Sequence, residues 1–65
     1  MKVYQPIFYI DDGTNIEYRD IPDELKENEV FSSQQACRDW LKEHDYFPDN
    51  FIILEKNIKN PIIIL

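Results

Sequence analysis

From Val3 to Ile10 the chain carries apolar side chains on both sides of an extended backbone: Val3, Ile7 and Tyr9 on one, Tyr4, Phe8 and Ile10 on the other. Successive residues of a strand point to opposite faces, so this segment does not fit a sheet with one side in water. It has to be an interior strand covered on both faces, or one face has to meet something else. Pro6 lies in the middle of it and lacks a backbone donor, so part of one edge there is expected to be unpaired. With 65 residues in total, the chain has length for one core and hence one domain.

Residues Ile16 to Ile21 alternate apolar and polar as a half-buried strand does, and Asp11-Asp12-Gly13-Thr14-Asn15 separates them from the first strand. An Asp-Gly pair between two such runs signals a hairpin, because Gly13 takes the positive φ that the turn demands. Two registers are compatible with the pattern. A two-residue turn at Asp12-Gly13 sets Tyr9 opposite Ile16 and Ile7 opposite Tyr18; a loop one residue longer sets Ile10 opposite Ile16 and Phe8 opposite Tyr18.

Residues 20–30 read as a polar, acidic connection with one helical turn starting at Pro22. Ser32-Ser33-Gln34-Gln35 then matches a capping box, with Ser32 as N-cap, Gln35 reaching back and Phe31 stapled over Ala36. The helix it opens is expected to run to about His44, because Ala36, Cys37, Trp40, Leu41 and His44 recur on one face while Arg38, Asp39, Lys42 and Glu43 occupy the other. After a turn around Pro48, Phe51 to Lys56 reads as a strand too apolar to be half exposed. Pro61 to Leu65 reads as a last strand whose proline sits at its first position.

The order is β-β-α-β with a further β. This predicts a small α+β fold, a mainly antiparallel sheet of three to four strands with one helix on one face. One helix covers one face only, yet the first strand and both C-terminal runs are apolar on both sides. The second face, or the final strand, is therefore expected to pack against a partner chain, a second copy being the first candidate, with Tyr4, Phe8, Ile63 and Leu65 as the contact residues. The alternative is that the acidic connection folds over that face.

The usual staples of small domains are missing from the sequence. Cys37 is the sole cysteine, so no intrachain disulfide forms, and no Cys/His cluster has metal-ligand spacing. A lone cysteine suits a reducing compartment, and the N-terminal residues lack the pattern of a secretory signal, so a cytoplasmic location is expected. The apolar runs are too short to span a bilayer.

A search for chemistry finds no constellation. Cys37 and His44 lie seven residues apart on one helix, about 10.5 Å along its axis at 1.5 Å per residue, which is beyond hydrogen-bond reach. Asp11, Asp12, Asn15 and Glu17 lack the ligand alternation of a calcium loop and fit a hairpin turn. Asp45 and Asp49 beside His44 fit turn formation around Pro48 better than metal binding. A single glycine leaves no phosphate-cradling loop. No catalytic, cofactor or metal residue is assigned. A shared site between two copies, His44 facing acids of the other chain, is the only enzymatic form the residues leave open.

Charge is the remaining signal. Residues 1–31 hold eight acids against three bases, and the whole chain carries a net −6. Such a surface repels nucleic acid and anionic membrane. Two functions follow: a non-enzymatic protein-interaction domain, or an acidic inhibitor in which Asp20, Asp23, Glu24, Glu27 and Glu29 imitate a phosphate track for a basic nucleic-acid-binding protein. In the plainer account the same acids keep a small domain soluble.

Overall fold

The computed structural model describes residues 2–64. The elements are β1 (Val3–Asp11), β2 (Ile16–Tyr18), β3 (Glu29–Val30), α1 (Gln34–Glu43), a 3-10 turn (Pro48–Asn50), β4 (Phe51–Lys56) and β5 (Ile62–Ile63). A three-stranded sheet has the order β2-β1-β4, antiparallel throughout, and β3 and β5 form a separate parallel pair. The α+β expectation holds, with β1 as the interior strand.

The hairpin takes neither expected register. Tyr9 pairs with Tyr18, Ile10 with Glu17 and Asp11 with Ile16. The Asp12 N–H still donates to the Asn15 carbonyl at 3.2 Å, which leaves Gly13-Thr14 as the central pair. Gly13, at φ +90°, thus occupies the first central position rather than the second. The cause is the Asp12 carboxylate, which accepts from Thr14 N–H, Thr14 Oγ1 and Asn15 N–H at 2.8–3.0 Å and folds the turn around itself.

At the other end of this pairing the Phe8 N–H donates to the Asp20 carbonyl while the Phe8 carbonyl accepts from Arg19 N–H. Two residues answer one, which is a β-bulge, and the chain turns away from β1 there. It returns at Phe31, which exchanges both backbone bonds with Tyr4 at 2.8 and 2.9 Å. Pro6 lies in the gap between these two contacts, where no neighbour asks for a donor.

The connection before α1 forms two successive turns, closed by Leu25 N–H to Pro22 carbonyl and Glu29 N–H to Lys26 carbonyl, instead of a helical turn. It is not merely polar, since Leu25 and Val30 are buried. The helix N-cap is Ser33, one residue later than the capping box implied, and its side chain accepts from Ala36 N–H at 3.1 Å. Phe31 is held in its bridge to Tyr4, so the chain stays extended through Ser33; Gln35 bonds Asp39 instead of reaching back. Cys37, Trp40 and Leu41 are buried as the periodicity implied, and His44 is exposed.

Phe31, Leu25, Cys37, Trp40 and Leu41 form the core, with Tyr4, Phe51, Ile53 and Ile64 packed against it. This is the helix-bearing face of the sheet. The opposite face is covered within the chain, as in the alternative given above: Val3, Gln5 and Ile7 are buried. Gln5 donates from Nε2 to the carbonyls of Glu27 and Glu29 at 3.0 and 3.1 Å, and its Oε1 accepts from Lys56 Nζ. The acidic connection therefore straps the second face at the Val3–Ile7 end, where Ile7, Glu27, Asn28 and Ile58 line a common cavity. At the hairpin end Ile10, Ile16 and Tyr18 stay exposed.

The expectation for β4 also fails. Phe51, Ile52, Ile53 and Leu54 are each only half-buried, because β4 is an edge strand with a neighbour on one side.

Candidate functional site: an aromatic cleft with an acidic rim

The helix ends in a way that builds a site. Asp45 takes φ +62°, Tyr46 N–H donates to the Leu41 carbonyl at 2.8 Å and Asp45 N–H to the Lys42 carbonyl at 3.2 Å. This is the Schellman pattern of helix termination, with Asp where glycine is usual. It folds Tyr46 back over the last turn, where its ring stacks on Trp40 at 6.2 Å and 13°. The next ring contacts are Tyr46 with Phe51 at 5.4 Å and Phe51 with Phe8 at 5.6 Å, both edge-on, the arrangement aromatic quadrupoles favour. In the other direction Trp40 meets Phe31 at 5.9 Å and His44 at 4.0 Å. A continuous run of rings thus leads from the core to the surface.

Its surface end is a cleft of about 340 Å³ between β1, the bulge and the turn after α1. Phe8, Tyr46, Phe47 and Phe51 supply apolar walls, Ile21 and Pro22 the floor of the bulge side, and Arg19, Asp20, Asp23 and Asp45 the polar rim. Phe47 is 76% exposed, an unusual state for phenylalanine in a small domain.

The contact residues expected from the sequence are not brought together. Phe8, 37% exposed, lines the cleft; Tyr4 packs against the core; Ile63, 38% exposed, lies on β5 with its backbone paired to Val30; Leu65 lies outside the described residues. The acids also divide. Asp20 and Asp23 reach the cleft rim, while Asp20 additionally accepts from Ile21 N–H at 2.7 Å. Glu24 accepts from the Tyr46 hydroxyl, Glu29 accepts from Lys26 N–H at 2.7 Å, and Glu27 offers its carbonyl to Gln5. The Glu24 contact holds that carboxyl below its usual range and pushes the Tyr46 phenol up to about 12. Phe47, Tyr46 and Phe51 were read from sequence as turn and strand residues; the signal that could have set them apart is four aromatic rings, counting Phe8, with too few helix positions to cover them.

Cys37 is fully buried, and that burial pushes its thiol from an ordinary value near 9 up to about 12. The folded protein is expected to react with a disulfide reagent at pH 8 far more slowly than in 6 M urea, because the buried sulfur is both held as the thiol and out of the reagent's reach; comparable rates would show that the site opens readily. The unfolded chain releases this proton near pH 9 and the folded chain holds it to about 12, so this contribution is complete below pH 9 and lost across that interval.

Among the described residues no group of three or more His, Cys, Asp or Glu is placed to hold a metal, and no helix is long and apolar enough to cross a membrane. No protein-family model, curated protein or solved structure matches the chain.

Proposed function

We propose that this chain is a non-enzymatic protein-interaction domain whose aromatic cleft receives an apolar side chain from an extended, basic segment of a partner protein. The observation that carries this is the exposed Phe47 closing an apolar cleft against Phe8 and Phe51, under a rim with three carboxylates and one guanidinium. Apolar walls give affinity to an aliphatic or aromatic anchor, and the rim of Asp20, Asp23 and Asp45 favours Lys or Arg beside it. In a reducing cytoplasm the buried Cys37 stays a thiol, in keeping with this role.

The reading of the acids as a phosphate-like track gains less support, because Asp20, Glu24 and Glu29 each accept a hydrogen bond within the domain. Their charge serves local structure and solubility as well as any partner.

The test is a titration of isotope-labelled protein with a library of eight-residue peptides holding one Leu, Phe or Trp among Lys and Arg. Amide shifts are expected around Phe8, Arg19, Asp23, Tyr46 and Phe51, with affinity at least tenfold weaker for Phe47→Ser. Shifts located elsewhere, unchanged binding by Phe47→Ser, or no binding by any member of the library would refute the assignment.

A further inference from the structure

The outer edge of β4 is the feature that neither the core nor the cleft explains. Even-numbered β1 residues turn their backbone groups toward β2 and Phe31, as the bonds of Tyr4 and Phe8 show, so odd-numbered ones face β4. Within β4 the residues bonded to β1 are then Ile52, Leu54 and Lys56, opposite Ile7, Gln5 and Val3. Ile53 and Glu55 point their N–H and C=O groups outward, along an edge with no neighbouring strand among the described residues. An apolar edge of this kind is a template for a further strand.

Beside it, on the helix-bearing face, runs a groove of about 610 Å³ whose walls include Arg38, Lys42, Phe47, Phe51 and Ile53, with Asp49 as its acid. Two cations against one carboxylate make it locally basic in a chain of net −6.

We infer that the occupant of this edge is β4 of a second copy, antiparallel about a two-fold axis at Ile53, extending the sheet from three strands to six. The register follows from the outward groups: Ile53 lies opposite Ile53 of the copy and exchanges both bonds with it, and Phe51 lies opposite its Glu55, where the Glu55 N–H meets the Phe51 carbonyl while the Phe51 N–H keeps its bond to the Pro48 carbonyl. Ile52 then meets Leu54, so the middle of the contact is apolar on both faces. A residue directly opposite Phe51 shares its face. The Glu55 carboxylate of the copy therefore arrives beside Arg38 and Lys42, and by symmetry the reverse holds too. Glu55 is exposed, and its ion pair to Lys2 is long at 3.9 Å. The antiparallel arrangement also keeps the two Glu55 side chains apart. This assembly does not depend on the peptide-binding reading of the cleft.

The experiment is sedimentation equilibrium from about 1 μM to 1 mM on the wild type and three variants. The wild type is expected to dimerise, and Glu55→Lys, a change at an exposed site, to weaken the dimer about tenfold or more. Combining it with Arg38→Glu and Lys42→Glu reverses both sides of the contact and should restore the wild-type constant. Ile53→Pro removes an outward N–H that no bond within the chain uses, and should give a monomer with an unchanged circular-dichroism spectrum. A wild type monomeric at 1 mM would overturn the inference. So would a dimer indifferent to Glu55→Lys, or one that the triple charge exchange does not restore.

Discussion

Phe31→Ala is expected to lose about 3–5 kcal/mol of unfolding free energy, the usual cost of emptying a fully buried phenylalanine site. For a 65-residue domain, whose whole stability is of the order of 3–10 kcal/mol, that removes most of the margin. Phe31 has no exposed surface, packs its ring on Trp40 and holds both backbone bonds of the Tyr4 bridge. Its removal leaves a void between α1 and the sheet at the point where the returning chain is fastened. Urea unfolding followed by Trp40 fluorescence measures this directly. Phe47→Ala is the matched control: the same atoms are deleted from a largely exposed residue, and the change should stay within about 0.5 kcal/mol. Similar losses in the two variants would mean that the core has been placed in the wrong part of the molecule.

The second large effect is expected at a polar residue. Gln5→Leu should cost about 3 kcal/mol, although leucine fills similar space and position 5 has only 1% of its surface exposed. The glutamine satisfies two carbonyls of the acidic connection and the Lys56 ammonium at once. Leucine leaves all three without it, one of them charged, and releases the strap that covers Val3 and Ile7. The double variant Gln5→Leu with Lys56→Leu should recover part of the loss, since the stranded charge goes with it. A cost below about 1 kcal/mol for the single variant would show that water replaces the amide without penalty.

Gln5 also marks where sequence reasoning stops. The interior position of β1, the hairpin, the helix and its buried face all follow from periodicity and turn chemistry, because these are encoded within a few residues. The apolar character of both faces of β1 correctly signalled that both are covered. That the acidic connection covers the second face was the alternative to a partner chain; the contact that decides for it was not visible, since it depends on one side chain meeting carbonyls 22 and 24 residues away, and carbonyls carry no sequence identity. Errors of one residue have equally local causes. Two adjacent serines competed for the N-cap, and the one that wins is fixed by the distant bridge of Phe31 to Tyr4. Asp12-Gly13 pointed to the right turn, and the Asp12 carboxylate shifted its centre. The cleft was least legible. It depends on Asp45 adopting a left-handed conformation that glycine would have announced, and this turns Tyr46 and Phe47 toward β1.

The Pro6 gap and the pairing of β1 with β4 have a bearing on how the chain is made. On its β2 side β1 can be joined early by a short hairpin, but its other side waits for β4, so residues 12–50 must be synthesised before Ile7 finds Ile52 or Gln5 finds Leu54. A lone hairpin is marginal in water, and pairings so distant in sequence form slowly. During translation the nascent chain therefore displays Val3, Ile7 and Tyr9 on a strand with one unsatisfied edge, the form in which such segments are most readily captured by chaperones or by one another. Pro6 lacks its donor on the opposite edge and so leaves this one open, while the acidic residues that emerge next keep neighbouring nascent chains apart.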